Sequence, residues 1–423
     1  MKIANVRVFL TQPCGPHRRL IVVRVETSEP GLYGLGCATF TQRHRAVEAA
    51  VRHHLGPRVT GRDPRNIEDL WQEMMVSGYW RNGPVLNNAI SGIDMALWDI
   101  AGKRAGLPCH DLWGGRCRPA VPVYLHADGA TKEEVADRAR ALMEKGVRHV
   151  RCQIGGYSGV GARRAGLGPA PARRERTPAV STGGPDAPAP GGAAFAGVYF
   201  DPRDKLREVP RLFAHLRAAL GDEVELLYDV HERLEPIEAV ALAKALEPYR
   251  LFFLEDVVAP EDLEWLAMLR AQTCTPIAIG ELFNHPHEMT PFIQRRLLDF
   301  IRVHVSQIGG VTPAIKLAHL CAAFGVRTAW HGPGYVSPVG MAANVHLDLA
   351  LHNFGIQEWG VRAEVEYEMF PGLPELRGGC VDANGRPGWG IEFREDVAAR
   401  YPCDDEEPEW TRARRPDGTV SRP

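Results

Sequence analysis

Apolar and polar positions change rhythm near residue 118. Before it, "IANVRVFL" and "RLIVVRVET" run over strand lengths, and "EPGLYGLGCATF" sets turn glycines around a third such run. A helical rhythm follows in "NNAISGIDMALWDIAGKRAGLP". There Ala89, Ile93, Ala96, Leu97 and Ile100 recur at steps of three and four, and Gly106 and Pro108 stop the helix. Residues 1–118 read as an α+β unit. From about 119 to 385 short apolar runs alternate with helix-patterned stretches. These runs are "VPVYLHA", "HVRCQIG", "VELLYDVH", "LFFLEDV", "PIAIGE", "FIRVHVS", "VRTAWHG" and "GIQEW". Such alternation predicts an α/β class parallel barrel. The rival, an open doubly wound sheet, normally offers a Gly-rich phosphate turn after its first strand, and "YLHADGATKEE" is not one.

One connection breaks the pattern. Residues 160–198 are rich in Ala, Gly, Pro and Arg with little periodicity, which predicts a disordered insertion; a partly mobile lid is the alternative. Residues 386–423 form a C-terminal extension with a polar end, "RARRPDGTVSRP". Hydrophobic content of 45%, charged content of 24% and a formal net charge of -2 fit a globular protein without a nucleic-acid or anionic-membrane partner. No apolar run reaches membrane-spanning length, and "MKIANVRVFL" lacks the apolar core of a signal peptide. The nine cysteines are scattered without a CxxC pair, so the expectation is reduced thiols in a cytoplasmic setting.

Candidate chemistry sits at the strand ends. Asp229, Glu255 and Glu281 close the third, fourth and fifth barrel strands, separated by 26 residues at each step. Adjacent strand ends at that spacing converge on the C-terminal mouth, where barrel enzymes keep their active sites. Each acid alone also reads as a cap for the helix that follows; three at matched spacing favour a cation site. Oxygen ligands suit Mg²⁺, whereas zinc takes His and Cys. His126, Arg151, Gln153, Arg302, His331 and Glu358 end the other strands. His231, two residues beyond Asp229, shares its strand face. A divalent ion flanked by His, Arg and Tyr fits abstraction of a proton α to a carboxylate.

These residues resemble the enolase superfamily over nearly the whole chain. The resemblance implies a modified (β/α)₇β TIM barrel over 119–385, an α+β capping domain over 1–118, and an extension over 386–423 that returns to the cap. "AISGIDMALWDIAGKRAGLP" is similar to the helix motif of the muconate-lactonizing and mandelate-racemase branches. Strand 2 reads "RCQIG" without the Lys-x-Lys of muconate-type members, and His304 stands near the strand-6 Asp of mandelate racemases. The chain looks more like the mannonate dehydratase family, whose relatives are sometimes labelled starvation-sensing proteins. That likeness rests on "GYWRNGPV", "YDVHERL", "FLEDV", "GELFNH", "WHGPG" and "FGIQEW".

By that resemblance Asp229, Glu255 and Glu281 hold one Mg²⁺, and His231 protonates a departing 3-hydroxyl. A Tyr–Arg pair removes the C2 proton, with Arg151 as the Arg and Tyr157 or, second, Tyr199 as the Tyr. His126, Arg302, His331 and Glu358 bind a small-molecule acid sugar, joined by Gln42 from the capping domain. The implied reaction dehydrates D-mannonate, D-gluconate or a similar acid sugar to a 2-keto-3-deoxy product in a homo-oligomer. A sugar-acid-binding protein with vestigial catalysis and an acid-sugar epimerase are the alternatives. Departures from the family pattern surround the substrate. Thr41 and Gln42 replace an Asn, Pro333 replaces an Ala, and Tyr335 replaces an Asp. The insertion lengthens a site loop, and the end "TVSRP" stands in place of a Trp-bearing tail.

Overall fold

The computed structural model describes residues 1–15, 17–165 and 195–422. Its strands in chain order are β1 Ile3–Thr11, β2 Leu20–Thr27, β3 Tyr33–Cys37, β4 Val121–Gly129, β5 His149–Ile154, β6 Arg163–Ala165, β7 Gly197–Tyr199 and β8 Glu225–Asp229. Then come β9 Phe253–Glu255, β10 Ile277–Ile279, β11 Phe300–Ile301, β12 Arg327–Thr328, β13 Gln357–Glu358, β14 Cys380–Val381 and β15 Ala413–Arg414. Contacts divide the chain into two compact units. No described helix is long and apolar enough to cross a membrane.

The first unit comprises Met1–Val123, Gly280–Arg296 and Phe300–Glu406. Its β1, β2 and β3 form an antiparallel meander in which Val23 faces Gly36 and Val25 faces Gly34. The helix Pro84–Ala105 lies against that sheet and ends at Gly106, whose φ of 69° lets the chain leave in the left-handed conformation. Helix and sheet approach so closely that a Cβ at Gly36 would sit 1.9 Å from the Gly92 carbonyl oxygen. Gly36→Ala is therefore expected to cost about 3 kcal/mol or more, because backbone rather than a flexible side chain must yield. A thermal melt within 2 °C of wild type would contradict this.

Two acids of the same helix tie distant segments to it. Asp94 accepts from the backbone N–H of Thr312 at 3.0 Å and from its hydroxyl. Asp99 accepts from the N–H groups of Leu35 and Trp389, both at 2.9 Å, and from Lys103 Nζ at 2.7 Å. Both acids are fully buried, so these bonds replace the water they lose. The extension returns to the meander: Glu395 takes bonds from Arg7 and Arg24, and the Thr11 hydroxyl donates to the Ala398 carbonyl.

The second unit comprises Tyr124–Ile279, Leu297–Asp299 and Glu407–Pro423. Here the strands lie parallel in the order β4, β5, β8, β9, β10. Helices Lys132–Glu144, Asp204–Leu220, Pro236–Leu246 and Leu263–Gln272 fall in the connections. All eight apolar runs read as barrel strands occur as strands, as β4, β5 and β8 through β13, though several pair over only two or three residues.

The expectation of disorder across 160–198 needs correction at both ends. Strand β6 pairs antiparallel with β7, and β15 from the C-terminal segment adds parallel to β7, with Ala413 opposite Val198. Ala162, Val198, Phe200 and Ala413 close a small apolar core there. These apolar positions are too few and too far apart in sequence to show periodicity, and their partner strand lies more than two hundred residues away. The rest of that expectation, residues 166–194, lies outside the described residues.

Candidate active site

The parallel register of the second unit places the site. Asp229, the last residue of β8, lies opposite Glu255, the last residue of β9. Both side chains are fully buried. Directly opposed like charges repel, so a cation beside the pair is favourable, and the Arg151 guanidinium meets Asp229 from one side. Oxygen atoms of Asp229, Glu255 and Asp256 all lie within 4.8 Å of one another, a hard donor set that fits Mg²⁺ chemically. One strand further back, His126 on β4 lies opposite Arg151 on β5.

Arg151 is the hub. Its Nη1 donates to the Tyr157 hydroxyl at 2.9 Å and to Asp229 Oδ2 at 3.1 Å, and its Nη2 donates to His126 Nδ1 at 3.1 Å. A guanidinium has no acceptor, so the direction of all three bonds is fixed and His126 carries a lone pair on Nδ1. Tyr157 stacks on His231, with ring centroids 4.0 Å apart and planes 30° apart. The backbone of His231 is left-handed (φ 54°), and its N–H donates to Asp229 Oδ1 at 2.8 Å. That turn carries the imidazole over the tyrosine ring.

Burial and charge set His231 apart from an ordinary histidine. Burial is the main force pushing His231 down to about 4; Asp229 opposes it, while Arg233, Lys205 and Arg151 add to it. Arg233 lies over the Phe200 ring at 4.9 Å and reaches Ser158 Oγ at 3.5 Å. Lys205, on the helix Asp204–Leu220, is 3% exposed, and its Nζ has no hydrogen-bond partner among the described residues. Burial and Arg233 bring it from 10.5 down to about 7.

A second group of the expected residues meets within the first unit. Arg302 Nη2 donates to Glu358 Oε2 at 3.1 Å and approaches Glu281 Oε2 at 3.5 Å. His331 Nε2 lies 3.1 Å from Glu281 Oε2 and 3.9 Å from Glu358 Oε2. The Gly332 N–H donates to Glu358 at 2.9 Å. Glu281 follows β10 by two residues, and its carboxylate lies against Arg302 and His331. Gln42 sits half-buried on the short turn Thr41–Arg43, where Arg43 Nη1 donates to its carbonyl. Gln153 is buried on β5.

Tyr199 is placed elsewhere: its hydroxyl donates to the Phe195 carbonyl at 2.8 Å, within the β6–β7–β15 sheet. The apparent lack of a Trp-bearing tail is also corrected. Trp410 approaches His231 edge-on, with centroids 6.4 Å apart, on the segment that β15 anchors. The closing residues "TVSRP" hid it, because the aromatic stands 13 residues before the end. His304 was legible only as a departure. In the structure its Nδ1 lies 2.8 Å from His331 Nδ1, and burial holds it down at about 4.

Residues 134–397 match the family model described as enolase C-terminal domain-like, and residues 12–114 match the mandelate racemase / muconate lactonizing enzyme N-terminal domain. The D-galactonate dehydratase family member RspA of Pantoea ananatis is 54% identical over 430 residues, covering 100% of this chain and 99% of the relative. A D-galactonate dehydratase family member of Musicola paradisiaca is 52% identical over 434 residues, with the same coverage. Among solved structures, an enolase from Pantoea ananatis with bound D-gluconate and Mg aligns with a TM-score of 0.92 at 53% identity, over 100% of both chains. The α/β fold with its N-terminal capping domain is thus that of the enolase superfamily, and the relatives carry the galactonate rather than the mannonate family name. The chain belongs to the D-galactonate dehydratase family of the enolase superfamily.

Proposed function

We propose that this chain is a Mg²⁺-dependent acid-sugar dehydratase that converts an aldonate of the D-gluconate or D-mannonate type to its 2-keto-3-deoxy acid. The observation that carries the reading is the stacked Tyr157–His231 pair, with Arg151 bonded to the tyrosine and to Asp229. Asp229 and Glu255 would hold the ion, which when bound supplies Lewis-acid stabilisation to the substrate carboxylate. A tyrosine ordinarily ionises near pKa 10, and the charge of Arg151 on its hydroxyl favours the phenolate. Tyr157 takes the proton from C2, leaving an enediolate. The C3–O bond then breaks as His231 delivers a proton to the leaving oxygen, water departs, and the resulting enol becomes the 2-ketone. His126, Arg302, His331 and Glu358 bind the carboxylate and hydroxyls of the sugar.

A second reading is a sugar-acid-binding protein with residual catalysis, motivated by Thr41 and Gln42 in the capping loop and by the insertion at 160–198. Incubating the protein and Mg²⁺ with D-gluconate, D-mannonate and D-galactonate separates the two. The dehydratase reading expects a 2-keto-3-deoxy acid from at least one. Ligand-induced thermal stabilisation with no product from any would leave the binding reading instead.

A further inference from the structure

Consecutive residues of a strand point to opposite faces, so Asp256 should turn away from the site that Glu255 enters. It does not. Its φ of 38° rotates the chain just past β9. A carboxylate oxygen of Asp256 comes within 4.8 Å of ligand atoms on both Asp229 and Glu255. All three acids are buried. The turn is fixed on both sides: the Asp256 N–H donates to the Ala278 carbonyl at 3.0 Å, and its carbonyl accepts from Glu232 at 2.9 Å. Ala278 belongs to β10 and Glu232 follows β8, so three strand ends fix the backbone that presents this carboxylate.

We infer that Asp256 is a further carboxylate of the cation site, a positioning residue that raises affinity for the divalent ion. The inference rests on the Mg²⁺ dependence proposed above. The Pantoea ananatis structure, 53% identical over the whole chain, is one with bound Mg. A role confined to the turn would not require a charged side chain, since Asn enters the left-handed region as readily as Asp.

The experiment uses the full chain with Mn²⁺ as the probe, read by electron paramagnetic resonance, and Mg²⁺-dependent melting as a second readout. Asp256→Asn keeps the shape and the backbone conformation. Its Mn²⁺ Kd is expected to rise about 10- to 100-fold, with the Mg²⁺ midpoint for thermal stabilisation moving by a similar factor. The metal-free melting temperature should stay level or rise, because one buried charge is gone. Asp256→Gly, free of strain at positive φ, should weaken Mn²⁺ in the same way and serves if the Asn variant misfolds. A Kd within twofold of wild type, with a lowered metal-free melting temperature, would assign Asp256 to the turn alone and overturn the inference. Wild-type protein that binds no Mn²⁺ would overturn the Mg²⁺ reading itself.

Discussion

Replacing His231 by Asn is expected to cut aldonate dehydration by about 10²–10⁴-fold, the usual contribution of a positioned general acid. Asn is the informative choice because His231 sits at φ 54°, a conformation that Asn tolerates and that a β-branched residue would resist. The backbone bond from residue 231 to Asp229 Oδ1 survives, so the cation site should keep its shape. Tyr157 keeps its bond from Arg151, so C2 proton removal should continue even though the onward step fails. Substrate recovered from deuterated water should therefore carry deuterium at C2 with little keto acid formed, and Mn²⁺ affinity should match wild type. If dehydration stays within threefold of wild type, His231 is not the acid. If deuterium fails to enter while the metal still binds, His231 takes part in proton removal and the division of labour with Tyr157 is wrong.

The residues of the candidate site and its surroundings differ in how far the sequence disclosed them. Asp229 and Glu255 were legible because one strand–helix step repeats, and the structure sets them side by side in register. Sequence placed Tyr157 ahead of Tyr199 only by its nearness to strand 2; the bond from Arg151 and the stack on His231 depend on how the loop after β5 folds back. Asp256 contradicts the alternation on which strand reading depends, because one left-handed residue reverses the direction of its side chain. Trp410 was hidden by sequence distance, since its place beside His231 follows from a strand pairing across more than two hundred residues. Lys205 and Arg233 lie in stretches whose local pattern calls for surface charge. What a pattern cannot supply is the tertiary partner that buries a cation.

Lys205→Met is expected to stabilise the metal-free protein by roughly 3–5 kcal/mol at pH 6 and to make little difference near pH 10.5. The sign follows from the direction of the shift. In the fold, Lys205 loses its proton at about 7 rather than 10.5, with burial and Arg233 as the main causes. Between those values the unfolded chain binds more protons than the native one, so stability rises with pH across this window. Below about 7 the amine is charged in both states and the folded protein carries the full burial cost. The interval, at about 1.4 kcal/mol per pH unit, corresponds to ~5 kcal/mol, and local relaxation makes the lower end of the range the safer expectation. Met suits the site because it fills a similar volume without a charge. Asp229 keeps its partner Arg151 when the amine is gone, so no buried carboxylate is stranded there. Chemical denaturation from pH 6 to 10.5, with EDTA present, checks this. Curves for the two proteins that differ by a constant at every pH would show that the amine does not titrate in that window. The substitution also removes one of the three cations that hold His231 down, so the imidazole's titration should move toward the ordinary histidine range. If the charge around His231 is what limits it as a proton donor, the variant that folds better should also dehydrate faster at neutral pH.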